Sequence, residues 1–359
     1  MLVRSNLYTS PGGDTTQIDM TAKYLRQLKL QVDIRLVTDT VQIESYDLLH
    51  FFNIIRPDDI LPFINHNIPF VVSTIFVDYD DYEKNNRSGL AGRIFNQLSS
   101  GQIEYVKALA RWIKNGDKIK SAYYFWNGHK KSIEKIVAKA SMLLPNSHSE
   151  YSRLKAVTKN IGRYRKVVNA IETSVFNDST EKNDAFTNHV LCVGRIEGRK
   201  NQLNLIKALI TTELQLTIIG RPSPNHMAYY EQCKTLAATA GNIHFVEHIS
   251  HENLVKIYKA AKVHVLPSWF ETTGLSSLEA GVMGCNIVVT KKGDTTEYFG
   301  DMAYYCEPDN ISSIREAVIN AYNKPVNPEL AKFILENYTW EKTAAQTLQA
   351  YQQVLSVVI

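Results

Sequence analysis

The stretch from Pro267 to Gly281 constrains this chain more than any other. The apolar run Val263 to Leu266 precedes it and predicts a buried strand. Ser276 to Met283 predicts a helix, with Leu275, Leu278 and Val282 along one side. A strand that turns directly into a helix belongs to an α/β layer structure. Thr272, Thr273 and Gly274 fill the turn and are small enough to let a backbone approach a ligand. The amides and dipole of a helix start favour an anion there. Two carboxylates bracket that start, Glu271 before the helix and Glu279 within it, with seven residues between them. Ionised carboxylates only accept hydrogen bonds, so they suit sugar hydroxyls rather than phosphate. Amides for a diphosphate, one Glu for a donor sugar and one for a ribose would fit a nucleotide sugar. Two ordinary helix glutamates are the alternative.

A chain of 359 residues suggests two domains of ordinary size. Apolar residues at 44% and charged residues at 21% place it among globular proteins. The net charge of +4 is too modest to indicate a nucleic-acid binder. Cys192, Cys233, Cys285 and Cys306 are far apart and read as reduced thiols of a cytoplasmic protein. No C-x-x-C or His-x-x-x-His pair suggests a metal. The N-terminus lacks a signal-peptide core, and no apolar run is long enough to predict a membrane span.

In chain order, Leu2 to Tyr8 predicts a first strand and Gln17 to Lys29 a helix. Gly12 and Gly13 lie between them and permit a tight turn with close approach to phosphate; a plain loop is the alternative. The G-x-G-x-x-G pattern is absent, which argues against a dehydrogenase. Val32 to Val37, Leu48 to Phe52 and Val71 to Ile75 predict further strands, alternating with helical or loop segments in the manner of a parallel sheet. His50 lies near a strand end, where such sheets line ligand crevices, and reads equally as structural.

Residues 87–139 carry eleven Lys or Arg against Glu104, Asp117 and Glu134, interleaved with Tyr105, Trp112, Tyr123, Tyr124, Phe125 and Trp126. A basic, aromatic, amphipathic segment can lie on an anionic membrane surface or grip a diphosphate-linked acceptor. A solvated basic face is the alternative. Ala140 to Pro145 predicts a strand, and Ser149 to Ser152 a helix start. The polar run from Asp178 reads as a linker, with the hinge between Ile171 and Thr187.

Val190 to Val193 opens a new strand-turn-helix unit. Gly194-Arg195 follows, then Lys200-Asn201-Gln202 at the start of a helix over Leu203 to Ile210. Two cations at a helix start oppose the dipole. They make sense around a diphosphate, which Arg grips bidentately and Lys meets as a point charge; two solvated surface cations are the alternative. Further strands are predicted over Leu216 to Ile219 and Asn242 to Val246, and a last helix from Trp340 to about Leu355.

Glu271-x7-Glu279 with Ala280, Gly284 and Ile287-Val288-Val289, together with Gly194-Arg195-x4-Lys200-Asn201, resembles the retaining family 4 glycosyltransferases of group 1. Gly12-Gly13 is similar to that family's glycine-rich first loop. The resemblance implies a GT-B fold: two Rossmann-like α/β domains with parallel sheets facing across a cleft. Residues 1–171 would form the acceptor-side domain and 172–340 the nucleotide-sugar domain, with a terminal helix, about 341–359, crossing back. It also implies roles. Arg195 and Lys200 would neutralise the leaving nucleoside diphosphate, and Glu271 would hold the donor sugar. Glu279 would hold the ribose, Gly12, Gly13, Thr273, Gly274 and Leu275 would approach the donor, and Ile249 would frame the base. Members often carry a second His near the donor sugar; here Phe76 stands in its place, with Asp78 or His50 as substitutes. The expected reaction moves a hexosyl unit to a glycan or lipid-linked acceptor in bacterial polysaccharide or glycolipid synthesis, without metal or other cofactor. A nucleotide-sugar epimerase, a phosphorylase-like enzyme and a non-catalytic sugar-nucleotide-binding protein are the rival readings.

Overall fold

The structure is a computed structural model that describes residues 1–79, 82, 101–106, 119–177 and 181–357. The chain divides into two units, Met1–Asn169 with Trp340–Ile359, and Ala170–Thr339. The division falls two residues before the expected 171/172 boundary. The Ile171 amide donates to the Tyr338 carbonyl (3.0 Å), which ties Ala170 and Ile171 to the second unit.

Among the described residues the first unit holds five parallel strands in the order β2-β1-β3-β4-β5. They are β1 (Leu2–Val3), β2 (Arg35–Leu36), β3 (Leu49–Phe52), β4 (Phe70–Ser73) and β5 (Met142–Leu143). β3 and β4 are buried throughout, as parallel strands covered on both faces must be. Several expected strands are shorter than their sequence suggests. Leu2 to Tyr8 stops at Val3 because the Arg4 guanidinium donates to the Asn6 and Ser10 carbonyls and to Asp14, curling the chain. Val71 to Ile75 stops at Ser73, beyond which Ile75 takes a left-handed backbone with φ of 44°.

The longer helices of this unit among the described residues are α1 (Gly13–Gln27), α2 (Ala122–Lys139), α3 (His148–Val157) and a terminal helix (Trp340–Leu355). α1 begins earlier than expected, at the second glycine. α3 is capped by Ser147, whose Oγ accepts from the Glu150 amide (2.9 Å). The terminal helix packs on α1. Its Tyr351 hydroxyl meets His50 Nδ1 (2.7 Å), while His50 Nε2 meets Ser73 Oγ (2.9 Å).

Among the described residues the second unit holds six parallel strands in the order β11-β10-β9-β6-β7-β8. They are β6 (Val190–Val193), β7 (Leu216–Ile219), β8 (Ile243–Val246), β9 (Val263–Leu266), β10 (Asn286–Thr290) and β11 (Tyr304–Cys306). Its core joins Val190, Ile218, Val263, Val265 and Val288 of the sheet to Leu205, Leu209 and Ile314 of the covering helices. The four free cysteines are buried in this unit.

Candidate functional site

The site in the second unit is built where β6 and β9 end. After β6 a short turn of 3₁₀ helix, Gly198–Lys200, ends at Asn201, whose left-handed backbone (φ 64°) turns the chain into the helix Gln202–Leu209. The Asn201 side-chain amide donates to the carbonyls of Pro267 (3.0 Å) and Pro308 (2.7 Å). The Trp269 amide donates to the Arg199 carbonyl (2.9 Å). The loops after β6 and β9 are therefore tied together by backbone before any charged side chain meets.

Across that tie, Lys200 Nζ lies 2.6 Å from Glu271 Oε2, and the Ser268 hydroxyl donates to the same oxygen (3.1 Å). Glu271 is buried, and Lys200 keeps about a quarter of its side chain in solvent. Backbone fixes Glu271 as well: its amide donates to the Lys292 carbonyl (3.0 Å), and its carbonyl accepts from the Asp294 amide (2.9 Å). This close pairing needs Gly293, where φ is +111° and an added Cβ would stand 2.0 Å from the Glu271 carbonyl oxygen.

Arg195 does not pair with Glu271. Its Nη2 lies 3.6 Å from Oε1 of Glu197, whose Oε2 lies 3.8 Å from Arg199 Nη2 and accepts from Ser223 Oγ (3.1 Å). Burial alone would raise the Glu197 carboxyl, but Arg199, Arg195, Lys200 and the Ser223 hydroxyl outweigh it and leave its pKa below the ordinary value. Glu197 and Arg199 were not among the residues singled out from the sequence. The available signal was an acid placed two residues from an arginine on each side, in Arg-Ile-Glu-Gly-Arg.

The helix Leu275–Val282 starts at Gly274, again left-handed (φ 70°). Thr273 is buried just before it, with no hydrogen-bond partner for its hydroxyl, and Leu275 is half-buried. Glu279 keeps part of its surface in solvent, yet its carboxyl is enclosed. Burial pushes its pKa up to about 8, against the smaller opposing effect of the Tyr258 hydroxyl, which donates to Oε2 at 3.5 Å. Beneath it, His264 is fully buried at an edge of the Tyr258 ring, and burial holds its pKa down to about 3. Ile249 is half-buried on the loop after β8, just before the helix His251–Ala260.

The remaining expected residues lie in the first unit. The Gly12 amide donates to Thr15 Oγ1 (3.0 Å), so it closes the start of α1. Gly13 is the first residue of that helix. His50 is buried with both ring nitrogens engaged and its ring stacked on Phe52 at 4.2 Å. Burial holds its pKa well below the ordinary value, and its hydrogen bond to Tyr351 ties it to the terminal helix. Of the basic segment, residues 87–100 and 107–118 lie outside the described residues. The described part shows Trp126 80% exposed beside Phe125, with Lys130 and Lys131 exposed farther along α2. Among the described residues no group of three or more His, Cys, Asp or Glu is arranged to hold a metal, and no helix is long and apolar enough to cross a membrane.

Residues 176–340, nearly the whole second unit, match the family of glycosyl transferases group 1. This stretch is a group 1 glycosyltransferase domain. The O-antigen chain mannosyltransferase B of Escherichia coli is 25% identical over 182 residues, covering 47% of this chain and 46% of that protein. The chain thus spans about half the length of the first curated relatives that it matches. Sucrose-phosphate synthase from Thermosynechococcus elongatus aligns over 99% of this chain and 98% of its own, with a TM-score of 0.75 at 16% identity. HepE of Anabaena, solved with UDP and glucose, aligns over 98% and 99% with a TM-score of 0.67 at 12% identity. At such identities the likeness establishes the fold, which is GT-B.

Proposed function

We propose that this chain transfers a hexosyl unit from a nucleoside diphosphate sugar to an acceptor hydroxyl, with retention at the anomeric carbon. The observation that carries this reading is the Lys200–Glu271 pair at 2.6 Å. It joins a cation and a carboxylate 71 residues apart on adjoining loops of a group 1 glycosyltransferase domain. The solved relative that holds UDP and glucose supports a nucleotide-sugar donor.

In this reading Arg195 and Lys200 meet the diphosphate, Glu271 the sugar hydroxyls and Glu279 the ribose. The anomeric carbon–oxygen bond breaks with its electron pair leaving on the diphosphate, where the cations and helix-start amides stabilise the charge. The acceptor oxygen bonds to the anomeric carbon on the same face, and its proton passes to the departing phosphate oxygen. The cations take the part that a divalent metal plays elsewhere. A glycan or lipid-linked acceptor of a bacterial surface polysaccharide or glycolipid fits the mannosyltransferase relative. The exposed Trp126, Lys130 and Lys131 would bring α2 to an anionic membrane. Sedimentation with anionic vesicles that is unaltered in a Lys130→Ala, Lys131→Ala chain removes that location.

The deciding experiment titrates the protein with UDP, GDP and their hexose derivatives and follows nucleotide release. Arg195→Ala is expected to lower turnover by about 100-fold while changing donor affinity far less. A chain that binds none of these compounds, or a variant that loses affinity and keeps turnover, refutes the assignment.

A further inference from the structure

The loop after β6 is braced by the loop after β7, within the second unit. The Ile196 amide donates to the Arg221 carbonyl (2.9 Å), and the Ser223 amide donates back to the Ile196 carbonyl (3.2 Å). An added Cβ at Gly220 would stand 2.0 Å from the Gly194 carbonyl oxygen, so the two loops meet backbone to backbone. His226 Nδ1 accepts from the Gly198 amide (3.4 Å); a ring nitrogen that accepts carries no proton, so this ring adds no charge. Glu197 sits among these ties. It is buried, and Ser223 Oγ donates to its Oε2 (3.1 Å). Two loops therefore hold one acid in place.

Arg195 and Arg199 stand beside it with far more of their side chains in solvent, 42% and 35% against 5% for Glu197. Their Nη2 atoms lie 3.6 and 3.8 Å from its two oxygens. That is beyond hydrogen-bond distance, so the attraction is Coulombic. Lys200 is paired in its own way, with Glu271 at 2.6 Å. Every one of these cations thus faces a carboxylate before any anion arrives. A carboxylate this buried stays ionised only while cations compensate it. By the same attraction it offsets part of the pull that Arg195 and Arg199 exert on an anion from solvent. The acid cannot swing away, because both loops grip it.

We propose that Glu197 is a built-in counter-ion: it attracts Arg195 and Arg199 in competition with the diphosphate, and so limits how tightly the nucleoside diphosphate is held once the sugar has left. The diphosphate is that of the transferase reading above, on which this inference rests. A guanidinium carries five N–H donors, so each arginine can turn towards phosphate oxygens and still feel the acid. The nucleoside diphosphate carries the charge that develops as the sugar departs, so the competition bears on it more than on the intact donor.

The test is calorimetric titration of the full chain and its variants. Glu197→Gln removes the charge and keeps an acceptor for Ser223. UDP, GDP and inorganic pyrophosphate should each bind it about tenfold tighter than wild type, and sugar nucleotides tighter by less. The gain should shrink between about 50 mM and about 500 mM KCl, because salt screens charges that reach solvent. Arg199→Ala removes one of the contested cations and should weaken all three by about tenfold, a result that does not depend on Glu197→Gln folding. Unchanged or lower diphosphate affinity in a folded Glu197→Gln chain overturns the proposal, as does a gain that salt leaves untouched or wild-type affinity in Arg199→Ala. Wild-type protein that binds pyrophosphate but no nucleotide or sugar nucleotide fails at the transferase reading instead. Tighter pyrophosphate binding in Glu197→Gln would then still uphold the counter-ion.

Discussion

Glu279 is an acid whose folded pKa, about 8, stands above its ordinary 4.5 because burial disfavours the charged form. Between those two values the folded protein keeps a proton that the unfolded chain has lost. Stability linked to this group is therefore greatest below about pH 4.5 and declines as pH rises towards 8, by at most about 1.4 kcal/mol per unit. Glu279→Gln, which resembles the protonated acid, should not share that decline. Urea unfolding at pH 5 and pH 8 checks this: the wild type should lose stability relative to Glu279→Gln between the two. An unchanged difference would show that the carboxyl is not held neutral. The same enclosure suits a group that waits for hydroxyl partners, since a ribose that donates to the carboxylate would favour the ionised form. Glu197, on the loop after β6, shows the opposite balance, where three cations and the Ser223 hydroxyl overcome burial.

At the scale of elements, the loops after β6 and β9 hold their shape by backbone approach, and among the described residues Gly293 is one of two points where an added Cβ would stand 2.0 Å from a carbonyl oxygen, Gly220 being the other. Gly293→Ala places Cβ 2.0 Å from the Glu271 carbonyl at a φ of +111°. Gly284→Ala is the matched control, with φ of +94° and nothing within 4 Å of the added atom. Both should lose about 1–2 kcal/mol to backbone strain, and Gly293→Ala should lose more and also weaken sugar-nucleotide binding, because Glu271 must move. Equal sugar-nucleotide affinity in the two variants would sink the idea that this approach shapes the site. Such contacts also explain how much could be read from sequence. Val190–Val193, Leu216–Ile219 and Val263–Leu266 were legible as strands because they are buried throughout, so that their apolar runs are nearly continuous. Leu2 to Tyr8 was over-read because the side chain of Arg4, which no periodicity reports, bends the backbone after Val3. Arg195, Lys200 and Glu271 stood out by motif spacing, whereas the Glu197 bridge between two arginines depends on how the loop folds back on itself.

For the whole molecule, the two units differ in how they depend on the chain. Ala170–Thr339 is continuous, while the other unit is assembled from both ends, Met1–Asn169 and Trp340–Ile359. The joining contacts are buried and far apart in sequence: His50 with Tyr351 across 301 residues, and Thr343 Oγ1 donating to the Val168 carbonyl (2.7 Å). Trp340, Ala344, Thr347, Ala350 and Val354 line the buried side of the terminal helix. Removal of that helix would expose this apolar face of the first unit and leave the buried His50 Nδ1 without its partner, a loss of about 1–3 kcal/mol for the single polar group alone. A chain ended after Thr339 is therefore expected to keep amide protection through β6–β11 and to lose it in β1, β3, β4 and α1, with dye binding that reports exposed apolar surface. Hydrogen exchange resolved by peptide reads both units in one sample. Full protection of β3 and β4 in the shortened chain would show that Met1–Asn169 stands without its last helix, and uniform loss across both units would show that the second unit depends on the first.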